Sequence, residues 1–183
     1  MGENYQAIVD RETSEDEAPV LGTLIRDWLV SEGVIERLTR DCVLSTDSGY
    51  PPGPNHANVT EEVNPYLMNL RTNGLAIITE RRPYYSLTGD ELHLICDTCE
   101  RRFVSPDEHG DAIEEWFSRK GIGLLPCPSC GTAKPISEWR HEPPWAFGNL
   151  GFEFWNWYPL KSSFIAEVSQ RLGHKVLLVG GKF

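Results

Sequence analysis

Two Cys-x-x-Cys pairs, Cys96/Cys99 and Cys127/Cys130, separated by 27 residues, constrain this chain more than any other feature. Thiolates two residues apart can grip one ion from a tight turn. Two such turns complete the tetrahedral sulfur shell that zinc prefers. The local sequence suits that purpose. Cys96 follows Glu91–Ile95, ELHLI, an apolar stretch that reads as a strand. The second pair reads LLPCPSCG, where Pro128 restricts the loop and Gly131 is free to take a positive φ just after the last sulfur. The ligand set predicted is therefore Cys96, Cys99, Cys127 and Cys130 around one structural zinc ion, with iron as the alternative metal for the same shell. Four thiolates fill a tetrahedron and leave no open position for water, which argues against catalysis at the metal. A redox role is disfavoured too, since neither pair opens a helix as a thioredoxin-type pair does.

The paired turns resemble the knuckles of zinc-ribbon and rubredoxin-like proteins over residues of about 92–136. The resemblance implies a metal and a local fold and is nearly silent about function, because such ribbons occur in transcription factors, ribosomal proteins, enzymes and structural inserts. One departure stands out. The gap between the pairs holds a helix signal: Ser105 as cap, Pro106 at the first position, Glu108 completing a capping box, Ala112, Ile113, Trp116 and Phe117 as the apolar face, Arg119 and Lys120 at the end, and Gly121 as stop. This predicts a ribbon with an extra helix packed back on the rest of the chain.

The remainder reads as a small α+β or α/β body built from both ends, residues 1–90 and 138–183, with residues 91–137 as the inserted zinc-ribbon unit. Strands are expected at Tyr5–Val9, Cys42–Leu44, Gly74–Thr79, within Gly148–Trp155, and at Lys175–Val179, with a short pairing segment around Tyr84, Tyr85 and Leu87. One helix is expected after Pro19, with Val20, Leu21, Leu24, Ile25, Trp28 and Leu29 as its apolar face and Gly33 as its end. A second is expected from Pro159, with Phe164, Ile165, Val168 and Leu172 inward and Gly173 as its end. Both chain ends thus share a strand–helix–strand pattern.

Lys plus Arg is 17 and Asp plus Glu is 27, a net charge of −10, and no basic run exceeds two residues. Such a surface repels phosphate backbones at long range and argues against a nucleic-acid partner. The start MGENYQAIVD has no basic segment followed by an apolar one, and no apolar stretch of about 18 residues occurs. A cytoplasmic protein without a membrane span is the expectation, and thiols kept for metal suit that reducing compartment.

Two further segments bear on function. Residues 47–58, DSGYPPGPNHAN, hold three prolines and two glycines and predict an irregular, ordered loop. Trp139–Tyr158 holds eight aromatic residues, including four of the six tryptophans. Phe152 and Phe154 are expected on one strand face, with Leu150, Trp155 and Trp157 on the other. Pro143, Pro144 and Gly148 suggest a loop presenting Trp145, and secondarily Trp139, to a protein partner or a second copy of the chain. The leading functional reading is a zinc-stabilised scaffold or protein-interaction module. The alternatives are an enzyme whose pocket lies between the 47–58 loop and the 139–158 segment, and a nucleic-acid-associated ribbon. Cys42 reads as a buried apolar thiol, and Asp41, Asp47, Ser48 and His56 as unconnected neighbours. His93, three residues before Cys96, is not needed as a ligand.

Overall fold

The computed structural model describes residues 3–62, 65–86 and 88–182. In chain order the elements are β1 (Asn4–Asp10), α1 (Ala18–Ser31), a 3-10 turn (His56–Asn58), α2 (Pro65–Met68), β2 (Gly74–Ile78), β3 (Arg82–Tyr85), β4 (His93–Ile95), β5 (Arg102–Val104), α3 (Glu108–Phe117), β6 (Leu124–Pro126), β7 (Ala133–Pro135), a second 3-10 turn (Ile136–Glu138), β8 (Arg140–Glu142), β9 (Trp145–Gly148), β10 (Leu150–Trp155), α4 (Ser162–Leu172) and β11 (Val176–Lys182). Leu87 lies outside the described residues.

The main sheet has the order β11-β1-β10-β2, antiparallel throughout. β1 and β2 both run antiparallel to β10, so they are parallel to each other with β10 between them. In the same way β10 and β11 are parallel and flank β1. Two strand–helix–strand units are therefore interleaved, the split β-α-β arrangement of ferredoxin-like topologies. The shared pattern at the two chain ends is real, but its first unit closes with β2 and not with Cys42–Leu44. That segment forms no strand. Cys42 is buried and sits against Gly74, where an added Cβ would lie 2.4 Å from the Cys42 Sγ.

The central strands are covered on both faces, which explains their near-continuous apolar runs. On one face Ile8, Leu75, Leu150, Phe152 and Phe154 pack under α1 and α4. On the other, Tyr5, Ala7, Val9, Ala76, Ile78 and Trp155 pack against Tyr84 of β3 and Ala146 of β9. Leu150 and Trp157 thus share the cluster of Phe152 and Phe154 rather than opposing it. Leu150 has the parity of the two phenylalanines, and Asn156 takes φ 55°, which breaks the alternation before Trp157.

α1 is rotated from its expected face. It buries Ala18, Gly22, Ile25 and Leu29, while Val20 is 68% and Leu24 45% exposed. The small residues let the helix backbone approach the sheet: a Cβ at Gly22 would come within 3.0 Å of Thr79 and 3.2 Å of Ile77. α4 uses the expected face and ends at Gly173 with φ 75°, but it starts at Ser162 because Leu160 is extended and bridges to Thr60. The 47–58 loop closes the C-terminus of α1. The Asn55 side chain donates to the Glu32 carbonyl at 2.8 Å, and the Gly53 and Asn55 amides donate to Val34 and Gly33.

Between β2 and β10 lie the two Cys-x-x-Cys pairs and the elements that carry them. β3 pairs with β9, β4 with both β5 and β8, and β6 with β7. This region has its own core, built from Leu94, Ala112, Trp116, Leu125, Ile136, Trp139 and Phe147 with Cys96 and Cys127. β9 is the shared wall, since Ala146 faces the sheet core and Phe147 the cysteine core. The charged loop after β1 adds a second attachment. Glu15 pairs with Arg119 at 3.0 Å and Arg81 at 3.7 Å, Arg11 donates to the Ser137 carbonyl at 2.5 Å, and the Arg81 guanidinium lies 4.1 Å from the Trp116 ring centroid.

α3 occupies the expected segment with different ends. Asp107, not Ser105, is the N-cap, and no side chain caps it. Ser105 is spent on the β4–β5 hairpin, where its amide donates to the Leu92 carbonyl at 2.9 Å. At the far end Ser118 is the C-cap and Arg119 turns left-handed with φ 58°, two residues before Gly121.

Candidate metal centre

Each cysteine pair sits in the turn of a two-stranded hairpin, and the two turns have the same backbone plan. In the first, the Cys96 amide donates to the Arg101 carbonyl at 3.0 Å and the Glu100 amide donates to the Cys96 carbonyl at 2.8 Å. In the second, the Cys127 amide donates to the Thr132 carbonyl and the Gly131 amide to the Cys127 carbonyl, both at 2.9 Å. The residue after each second cysteine takes left-handed backbone, φ 58° at Glu100 and 75° at Gly131. The expected role of Gly131 is thus repeated in the first turn by a glutamate.

The two turns face each other. All four sulfurs lie within 4.8 Å of one another, and Cys96–Cys130 and Cys99–Cys127 are each 3.8 Å apart. Four sulfurs held about 2.3 Å from a central zinc at tetrahedral corners stand about 3.8 Å from each other. A disulfide would need about 2.05 Å, and all five cysteines are free thiols. Cys96 and Cys127 are buried, Cys99 is half-buried and Cys130 is exposed, so the cluster opens toward solvent on one side. A cluster able to coordinate a metal ion is therefore present, and its donor chemistry and spacing fit a thiophilic ion.

The protein environment already favours thiolate at two positions. The Cys99 amide, followed by that of Thr98, lowers the Cys96 pKa. The Thr132 hydroxyl, 3.4 Å from the Cys130 Sγ, and the Thr132 amide bring Cys130 down to about 6. Cys99 goes the other way. The Arg101 amide pulls its pKa down, but desolvation and the three neighbouring sulfurs together push it up to about 12. A divalent cation at the centre would supply what the mutual repulsion of four thiolates lacks.

The cations nearby have partners of their own. Lys134 Nζ pairs with Asp97 at 2.6 Å and lies 4.8 Å from the Trp139 ring centroid, and Arg102 pairs with Glu142 at 2.6 Å. His93 turns its Nδ1 to the Glu91 carbonyl at 2.9 Å. Among the described residues the four cysteines are the group of metal-capable side chains that converges.

The remaining sequence candidates do not assemble. Asp41 pairs with Arg71, His56 Nδ1 bonds the Gly53 carbonyl at 2.9 Å, and Cys42 faces the second core. A cavity of about 660 Å³ touches the 47–58 loop only through Tyr50; Arg26, Asp27, Val30, Ser31 and Arg37 complete its wall, and the aromatic segment takes no part. That segment is not a presenting loop. Trp139 is 3% exposed and packs edge-on to Phe103 at 5.6 Å. Trp145 is half-buried, stacked on His141 at 5.7 Å and tilted against Tyr85 at 5.2 Å. Trp139 lies inside the cysteine core and Trp145 packs at its edge against Tyr85 of β3, so both rings find cover within one chain.

Three buried polar features escaped the sequence reading. His109 and His141 meet Nε2 to Nε2 at 3.0 Å beneath Trp145. Asp10, fully buried, accepts from His174 Nδ1 at 2.8 Å. Glu153 is buried in the middle of β10. The last had a visible signal: one acid inside the apolar run LGFEFW. Histidines 32 residues apart had none. Compared with models of known protein families, with curated proteins and with solved structures, the chain matches none.

Proposed function

We propose that this protein is a zinc-stabilised interaction module. Cys96, Cys99, Cys127 and Cys130 hold one structural zinc ion, and the segment from about residue 91 through β8 is an inserted zinc ribbon that carries α3 as an extra helix. The observation that carries the reading is the 3.8 Å spacing of opposed sulfurs in two matching turns. The ion would close the ribbon and hold Leu94, Trp116, Leu125 and Trp139 in one core. Thiols reserved for metal suit a reducing compartment such as the cytoplasm.

The contact surface for a protein partner is assigned to the exposed stretch from the end of α3 to β6, since Trp139 and Trp145 are covered within the chain. Phe117 at the end of α3, Ile122 in the connection and Leu124 in β6 are 46%, 53% and 55% exposed within eight residues of chain. Exposed large apolar side chains of this kind are candidates for contact with another protein. The net charge of −10 favours a protein partner over nucleic acid.

Elemental analysis of protein purified without added metal tests the foundation. About one equivalent of zinc per chain is expected, and less than about half an equivalent of zinc and iron together would overturn it. Iron in place of zinc would show as colour and keep the structural role.

A further inference from the structure

Glu153 stands where a sheet protein has least use for a carboxylate. It is central in β10, and its register neighbours are Ala7 of β1 and Ala76 of β2. Its side chain is 4% exposed. Arg82 Nη1 approaches Oε1 at 3.4 Å, a long contact, and Oε2 has no hydrogen-bond partner. A cavity of about 320 Å³ opens there, walled by Tyr5, Ser45, Arg82, Tyr85, Glu153 and Trp155.

Packing alone does not account for this arrangement. A buried ion pair is often no more stabilising than an apolar pair of similar volume, because both charges lose their hydration. Desolvation indeed raises the Glu153 pKa, against the opposing pull of Ser45, Arg82 and Trp155. Arg82, about a third exposed, keeps donors to spare. The cavity thus offers an acceptor and a donor group side by side, with aromatic surface around them. A simple cation entering it would be repelled by Arg82, and a simple anion by Glu153. A ligand carrying both charges satisfies both groups.

We propose that this cavity binds a small zwitterion of the α-amino-acid class. Its ammonium donates to the Glu153 carboxylate where it lines the cavity, its carboxylate accepts from Arg82, and its apolar side chain lies against Tyr5, Tyr85 and Trp155. The site is on the sheet face away from the helices and does not depend on the metal.

Calorimetric titration of the metal-loaded full chain with each standard L-amino acid is the test, followed by the N-acetyl and carboxamide forms of the best binder. Saturable binding of at least one apolar or aromatic amino acid is expected. Removing either charge from the ligand should weaken binding at least tenfold. Glu153→Gln should weaken the free amino acid at least tenfold, and its melting temperature without ligand should equal or exceed that of the wild type. Arg82→Gln should bind the free amino acid no better than the wild type binds the carboxamide, which keeps the test decisive should Glu153→Gln fail to fold. Absence of binding for every amino acid at about 10 mM, or equal binding by wild type and both variants, would overturn the proposal.

Discussion

Gly131 and Glu100 hold the same place in the two cysteine turns, and both are left-handed, at φ 75° and 58°. A Cβ built at Gly131 meets nothing within 4 Å, so Gly131→Ala changes backbone preference without a collision. Left-handed backbone costs a residue with a Cβ about 1–2 kcal/mol. Alanine restricts the unfolded chain and offsets about 0.4–1 kcal/mol of that. The net expectation is a loss of about 1 kcal/mol. In a site where metal capture and folding are one event, that loss appears as metal affinity weakened about fivefold. Glu100→Gly is the mirror experiment. It removes the left-handed cost and adds unfolded-state entropy of about 0.5–1 kcal/mol, so affinity should hold or rise up to about tenfold. Glu100→Gln separates the backbone effect from removal of a charge near the thiolates. The assay is competition against a chromophoric zinc chelator, with thermal melts alongside. If Gly131→Ala matches the wild type within twofold and melts at the same temperature, or if Glu100→Gly binds zinc more weakly, the shared-turn reasoning is wrong.

Cys127→Ser should lower the melting temperature more than Cys42→Ser. The first removes a proposed metal ligand at the centre of a core, while the second exchanges a buried thiol for a hydroxyl at a cost of about 1–3 kcal/mol; equal melts for wild type and Cys127→Ser would refute this. Burial, with His109 beside it, holds His141 down to about 3, below its ordinary 6.5. The unfolded chain therefore binds a proton that the folded chain does not, and stability should fall as pH drops from about 6.5 toward 3, by up to about 1.4 kcal/mol per pH unit. His141→Gln at the same metal loading should show a shallower acid slope in urea unfolding, and parallel slopes would exclude the pair as a cause. Titration with single- and double-stranded oligonucleotides near physiological salt should show no more than weak binding, and micromolar affinity with a marked salt dependence would reverse the partner assignment.

What was legible in the sequence followed periodicity and short-range chemistry. β1, β2, β4, α4 and the two cysteine turns were each readable from residues inside the element, and so was the convergence of the sulfurs, since each pair carries its own turn. What failed depended on distant partners. α1 was misoriented because Ala18 and Gly22 look neutral in a hydropathy pattern, yet they are where the helix touches the sheet. Ser105 had the makings of a cap, but its backbone extends the β4–β5 hairpin by pairing with Leu92, and the helix begins beyond it with Asp107 as N-cap. Trp145 looked stranded among prolines and found cover on Tyr85, His109 and His141, residues 36 to 60 positions upstream and four upstream. Glu153 was visible as an exception to an apolar run, but its meaning rests on Arg82 in another strand.

The interleaved sheet has a consequence for how the chain reaches its native state. β2, an edge strand of the main sheet, is hydrogen-bonded to β10, yet about seventy residues separate Ile78 from Leu150. Closing a flexible loop of that length opposes the pairing by (3/2)RT ln n plus a constant. The inserted segment begins with β3 and finishes with β9, which pair with each other from Arg82–Gly148 to Tyr85–Trp145. Once that segment is ordered, only a few residues on either side of the Arg82–Gly148 pair remain to be closed. Shrinking the effective loop from about seventy residues to under ten lowers the entropic barrier by about 2 kcal/mol. With the proposed metal in place the ribbon would thus act as a template that brings two remote strands together. Refolding of the whole sheet should then run more than tenfold faster when zinc is present from the start than when it is added after collapse, and the metal's largest influence on the body would be on its rate of assembly.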